Sequence, residues 1–167
     1  MKKLKRFSAL ILACIMLCGL LPATALAAGV TYQGSGTEED PYLISTQAQL
    51  AGITTDHSYK LISDIALSGW QPISAAFAGT FNGNGYTIRN LSKPLFMKVL
   101  PVGTTAVTIK NVNLITADIF SGTATVFAAR DNANNIAQIT VDNVHATING
   151  KVTTSGLVGE CGENKVR

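Results

Sequence analysis

Ile109-Lys110-Asn111-Val112 lies inside a run, Ala106 to Ile115, that alternates apolar and polar residues. The same pattern, an apolar residue, any residue, Asn or Asp, then an apolar residue, returns as Ile62-Ser63-Asp64-Ile65, Ile88-Arg89-Asn90-Leu91 and Val141-Asp142-Asn143-Val144. Its Asn or Asp positions are 26, 21 and 32 residues apart. Such a spacing suits one supersecondary unit restated with loops of variable length, and stacked coils are its natural product. Asn in the middle of an apolar strand pattern has a physical reason. It tolerates the left-handed conformation that turns a strand sharply, and its amide can bond to neighbouring backbone. Stacked at about 4.8 Å, such amides can also bond one another, meeting a polar demand that otherwise costs about 1 to 3 kcal/mol per group. The pattern therefore predicts a structural ladder of Asp64, Asn90, Asn111 and Asn143 at successive corners. Ile62, Ile88, Ile109 and Val141 are expected to point inward before the corner, and Ile65, Leu91, Val112 and Val144 to begin the next strand.

Strand signals dominate the rest. Tyr59 to Leu67, Thr80 to Leu91, Ala106 to Ile115 and Gln138 to Ile148 alternate or carry β-branched runs, and Gly, Pro, Asn and Asp fill the stretches between. Asn82-Gly83-Asn84-Gly85 is the strongest turn signal, since paired Asn-Gly steps supply positive φ at little steric cost. One helix is expected, where Thr46 and Gln49 form a T-x-x-Q capping box, Leu50 and Ile53 supply an apolar edge, and Gly52 offers a stop. Placed ahead of the strands, it would cover the unpaired edge of the first coil.

The first residues read as an address label: Lys2, Lys3, Lys5 and Arg6, an apolar stretch from Ala9 to Leu21, then Ala25-Leu26-Ala27. These parts in order predict a secretory signal over 1–27, with the N-terminal lead-in and capping helix over 28–58 and β-helix rungs over 59–167. The apolar stretch is short for a membrane span, and no membrane association is expected after cleavage. Of 13 basic residues, four leave with the signal while all 10 acidic residues stay, so the remainder carries a net charge of −1. The precursor's basic balance thus implies no nucleic-acid partner. Of the three cysteines only Cys161 lies beyond the signal, which excludes an internal disulfide and leaves a free or intermolecularly paired thiol.

A second recurrence places Leu95-Phe96, Val126-Phe127 and Leu157-Val158 at intervals of 31 and 31, the last inside Gly156-Leu157-Val158-Gly159. With the lead-in Gly34 to Thr46, the segment Tyr59 to Leu67 and Gly79 to Ile88, the chain resembles bacterial cell-surface proteins with GLUG-type repeats. That resemblance implies an all-β, right-handed parallel β-helix (solenoid) of pectate-lyase-like stacking, preceded here by the short N-terminal capping helix. Pro94 and Met97, and Thr125 and Ala128, replace the flanking glycines in the two earlier copies. The repeat's name implies no reaction.

Candidate chemistry is sparse, and no catalytic residue, metal ligand or cofactor is expected. Calcium needs six to eight oxygen ligands, and Asp64 and Asp142, three rungs apart, would stand about 14 Å from each other. Glu38, Glu39 and Asp40 fall in a Gly-rich lead-in where a solvated turn is expected, and His57 and His145 belong to no nucleophile motif. Rings can stack on sugars, and Trp70, Tyr86, Tyr32 and Tyr42 are available. Trp70 and Tyr86 are the candidate glycan contacts, although a clamp over the core's end is the favoured role of Trp70. The reading is a secreted or surface-displayed, non-catalytic module for adhesion, display or contact with an extracellular glycan or a host or neighbouring surface protein. Its alternatives are the front part of a polysaccharide lyase or hydrolase whose catalytic rungs lie elsewhere, and a structural spacer. The chain stops just after a repeat landmark, so a fragment is expected whose uncapped last rung promotes end-to-end self-association.

Overall fold

A computed structural model of the chain describes residues 29–100, 106–122, 124–130, 138–149 and 156–160. The expected signal over 1–27 and Cys161 lie outside the described residues. Among the described residues, eleven strands and one short helix form a parallel β-helix with three faces. The first face stacks β1 (Tyr42–Ile44), β2 (His57–Leu61), β5 (Gly79–Asn82) and the leading halves of β8 (Val107–Thr116) and β10 (Ile139–Thr147). The second stacks β3 (Ile65–Ala66), β6 (Thr87–Leu91) and the trailing halves of β8 and β10. The third stacks β4 (Ile73–Phe77), β7 (Phe96–Val99), β9 (Phe127–Arg130) and β11 (Val158–Glu160). All these named strand pairs are parallel.

Parallel registration stacks like on like. Tyr59, Phe81, Ile109 and Val141 form one inward column, Ile65, Ile88, Leu114 and Ala146 a second, and Ile73, Phe96, Phe127 and Val158 a third. Most of these side chains are fully buried, and Phe96 packs against Phe77 at 4.7 Å and edge-on to Phe81 at 5.7 Å. Burying each such side chain stabilises by about 1.5 to 3 kcal/mol. The Leu95, Val126 and Leu157 recurrence marks the entry to the third face, where Phe96, Phe127 and Val158 register directly. Its first-rung member, Ile73 after Pro72, escapes the sequence pattern because no Leu-Phe pair announces it.

The corner ladder differs from its expected membership. Asn143 Nδ2 donates to Asn111 Oδ1 at 2.9 Å, and Asn111 Nδ2 donates to Asn82 Oδ1 at 3.3 Å, so the third member is Asn82. Asn90 and Asp64 stand elsewhere. Asn90 occupies a register shift on the second face, where Arg89 pairs Ile115 and Leu91 pairs Thr116. Asp64 lies beside Thr87, accepts its amide at 2.9 Å and pairs with Arg89 at 2.6 Å. The cause is corner length. Two residues separate Lys110 from Asn113, whereas four separate their neighbours Asn82 and Thr87, because the second rung turns through Gly83-Asn84-Gly85-Tyr86. That insert is a tight turn closed by Tyr86 N–H to Gly83 O at 2.8 Å, with Asn84 at φ 52° and Gly85 at φ 81°. Gly83 is required for space, since a Cβ there would meet Val112 Cβ at 2.3 Å. Asn90, Asn111 and Asn143 do adopt the expected left-handed backbone, at φ 61°, 54° and 49°. Ile62 is 42% exposed instead of inward, because Leu61 takes the core position above Ile44.

The helix α1 (Gln47–Ala51) caps the first coil and buries Leu50 in the common core, which Ile53, just past the helix's end, also joins. Thr46 Oγ1 accepts the Gln49 amide at 3.2 Å, but Gln49 Oε1 reaches one residue further than a capping box and accepts Ser45 N–H at 2.9 Å. Gly52 ends the helix at φ −84°, outside the left-handed region, and its lack of a side chain makes room for the Tyr32 hydroxyl. Trp70 is buried, and its Nε1–H donates to Pro94 O at 3.0 Å, tying the first rung to the second.

Replacing Asn111 by Ala removes both ladder bonds and places Cβ-bearing Ala at positive φ, so urea unfolding should show a loss of about 2 to 4 kcal/mol, whereas Asn111→Gly, relieved of the strain, should lose less. Trp70→Ala should lower stability by about 3 to 5 kcal/mol in the same assay.

Candidate functional site

Burial of Trp70 removes it from any surface role, and Tyr86 is half-buried in the corner turn. The half-buried rings of Tyr32, Tyr42 and His57 gather instead at the N-terminal end, against the buried ring of Tyr59. Tyr42 is carried on β1, and Tyr59 and His57 on β2, which pairs with β1 in register Tyr42 to Tyr59. Tyr32 is delivered by the segment before β1, held there by Leu43 N–H to Gln33 O at 2.9 Å. Tyr32 and Tyr42 stack at 5.1 Å and 30°, and Tyr42 meets the His57 ring edge-on at 5.2 Å. Tyr32 Oη donates to Gln49 O at 2.7 Å, and Tyr59 Oη accepts the Thr54 amide at 3.0 Å, so both rings are fixed at their far ends. Burial, aided by the neighbouring Tyr59 and Tyr42, pushes the Tyr32 phenol up to about 12.

These rings line a cavity of about 600 Å³ together with Val30, Gly52 and Thr54. A larger groove of about 790 Å³ adjoins it, and His57 lines both. The groove's floor is Ser58, Thr80 and Thr108, which register with one another on β2, β5 and β8. Its wall is the lead-in turn, including Thr37 and Glu38, together with Asp56. That turn is folded on itself by Gly36 N–H to Asp40 O at 2.9 Å and Asp40 N–H to Thr37 Oγ1 at 3.1 Å, and docked on β2 by Ser58 N–H to Gly36 O at 2.8 Å. Gly79, at φ 114°, permits the close approach of β5 to β2, since a Cβ would meet His57 O at 2.3 Å. Part of this site is legible locally, Tyr32 and Tyr42 as rings and Glu38 as an acid, but nothing local tells that a turn about twenty residues upstream folds over β2. Among the described residues, no group of three or more His, Cys, Asp or Glu is placed to hold a metal ion. The chemistry on display is aromatic faces, hydroxyls and two carboxylates.

No family model matches the chain. It is 33% identical over 153 residues to halomucin of Haloquadratum walsbyi, an alignment covering 77% of this chain and 2% of halomucin. It is 39% identical over 70 residues to a Gly-rich membrane protein of Evansella cellulosilytica, covering 33% of this chain and 8% of that protein. The chain thus spans a small part of either relative. No solved structure matches it. No helix among the described residues is long and apolar enough to cross a membrane.

A phenol held protonated by burial favours the folded state below pH 10, and that contribution is lost as pH rises from about 10 through about 12. Tyrosinate absorbance on alkaline titration should therefore include a late step from Tyr32, which Tyr32→Phe should remove.

Proposed function

We propose that this chain is a secreted or cell-surface β-helix module that contacts extracellular glycan and carries out no chemistry of its own. The observation that carries the reading is the tyrosine and histidine cavity at the capped end, opening beside a hydroxyl-floored groove. Sugar rings present an apolar face and a rim of hydroxyls, and this site offers the complement of both. Other features support the setting. The first 27 residues have the basic, apolar and small-residue order of an export signal, and the repeats resemble GLUG-type surface proteins. The names halomucin and Gly-rich membrane protein fit an extracytoplasmic location. Adhesion or display is the use such a site serves on a rigid, stackable scaffold.

Glycan-array binding tests the reading. Binding should be present in the unaltered protein and fall at least tenfold in Tyr42→Ala with the fold retained by circular dichroism. Product formation from the same glycans, or binding indifferent to Tyr42, contradicts it.

A further inference from the structure

We infer that the second-rung corner, Asn82-Gly83-Asn84-Gly85, is a water-driven modification site that rung pairing keeps closed. Its two side-chain amides hydrolyse only when the second and third rungs part, and the product then records that opening. Nothing in this depends on the glycan-contact reading.

Sequence sets the intrinsic reactivity. An Asn carboxamide is open to attack by the backbone nitrogen of the next residue, and a bulky next side chain hinders that approach. Asn90, Asn111, Asn113 and Asn143 precede Leu91, Val112, Leu114 and Val144, whereas Asn82 and Asn84 precede glycines, which leave the approach free. A third such step, Asn149-Gly150, has its glycine outside the described residues.

Water is the only co-reactant. The glycine nitrogen bonds to the Asn Cγ, the Cγ–Nδ2 bond breaks, and the leaving nitrogen takes the glycine's proton to depart as ammonia. Water then opens the cyclic imide at either carbonyl. One opening gives aspartate, and the other gives isoaspartate, whose main chain runs through the side chain and gains a carbon.

The fold blocks the first step. Both attacking nitrogens are already committed, Gly83 N–H to Lys110 O and Gly85 N–H to Asn111 O, each at 2.8 Å. The carboxamides are held as well: Asn82 Oδ1 accepts Asn84 N–H at 2.9 Å and Asn111 Nδ2 at 3.3 Å, and Asn84 Nδ2 donates to Leu61 O at 3.3 Å. Exclusion of solvent is not the cause, since Asn84 and Gly85 are exposed. Both glycine bonds and the ladder bond from Asn111 run to the third rung. One local parting of β5 from β8 therefore frees both nitrogens together.

The products differ in whether the corner can close again. An aspartate at position 82 keeps the oxygen that Asn84 and Asn111 use, and its charge stands between Lys60 and Lys110, its registered neighbours on the outward face. An aspartate at position 84 loses the donor to Leu61 O and sets a carboxylate against that carbonyl. Isoaspartate at position 82 lengthens the chain beside Gly83, where Val112 and the Asn111 carbonyl leave no room even for a Cβ. Only the first product re-enters the corner, so each of the others is a one-way exit from the closed rung.

Peptide mapping by mass spectrometry tests this on the full protein held in mildly alkaline buffer, folded and in strong urea. Conversion at both steps should run at least about tenfold slower in the folded chain. Asn111→Ala should raise both folded-state rates together by about threefold or more, and urea below the unfolding transition should do the same to the unaltered protein, whether or not that variant folds. Asn143→Ala, which spares the bond between Asn111 and Asn82, should leave the rates nearly unchanged. Asn82→Asp should hold its melting temperature within about 2 °C of the unaltered protein, and Asn84→Asp should melt lower. Equal rates in folded and unfolded chains, or folded-state rates that neither Asn111→Ala nor mild urea moves, overturn the inference. Protection of one step without the other overturns the shared opening, and an Asn82→Asp chain less stable than Asn84→Asp overturns the account of the products.

Discussion

Parallel pairing between rungs is the constraint from which everything else here follows. Once β2, β5, β8 and β10 are held in register at one pitch, each residue of a rung is placed over its counterpart, and the chain has no freedom to pair unlike with unlike. Inward columns then fill with Tyr, Phe, Ile and Val, and outward columns with Ser, Thr, Lys and Asn. On the rungs of Asn82, Asn111 and Asn143 the chain meets the polar cost of turning the corner with amides that bond one another. Asn82 Oδ1 accepts both the Asn111 amide at 3.3 Å and the Asn84 backbone at 2.9 Å, so the wider turn of the second rung and the ladder share one acceptor.

The same constraint builds the groove. A column of hydroxyls at regular pitch is the outward image of the regular core, and the lead-in turn converts it from a flat face into a walled channel. The cap does double duty. Leu50 and Ile53 close the core, while the segment that leads into the helix presents Tyr32 and Tyr42 to solvent. Under the proposed function the rigidity of this platform matters, because a Tyr32 ring already held by Gln49 O would lose little freedom on meeting a ligand.

Much of the architecture was legible in the sequence because it is periodic. Ile109-Lys110-Asn111-Val112 and Val141-Asp142-Asn143-Val144 are in register residue for residue, and their motif was a true corner. Ile88-Arg89-Asn90-Leu91 misled for a physical reason. Asn90 performs the same backbone task, a left-handed residue interrupting a strand, at a bulge on the second face instead of at the corner. Sequence spacing cannot separate the two, because corner length varies from rung to rung while chemistry does not. Trp70 shows the other limit. Its loop neighbours Ser68, Gly69 and Pro72 leave both an exposed ring and a clamp over the core open, and the structure takes the clamp: the indole is buried and its N–H finds the Pro94 carbonyl one rung away. The site was the least legible part, since it joins residues near 36, 57, 80 and 108 that only the winding brings together.

Disulfide trapping reads that winding directly. In a Cys161→Ser background, Thr80→Cys with Thr108→Cys places two thiols on registered neighbours, within the roughly 4.4 to 6.8 Å Cα separation that a disulfide spans. This pair should oxidise to an intramolecular bridge, whereas Asn90→Cys with Asn111→Cys should not. A bridge in the second pair and none in the first would contradict the register on which the core, the ladder and the groove all depend.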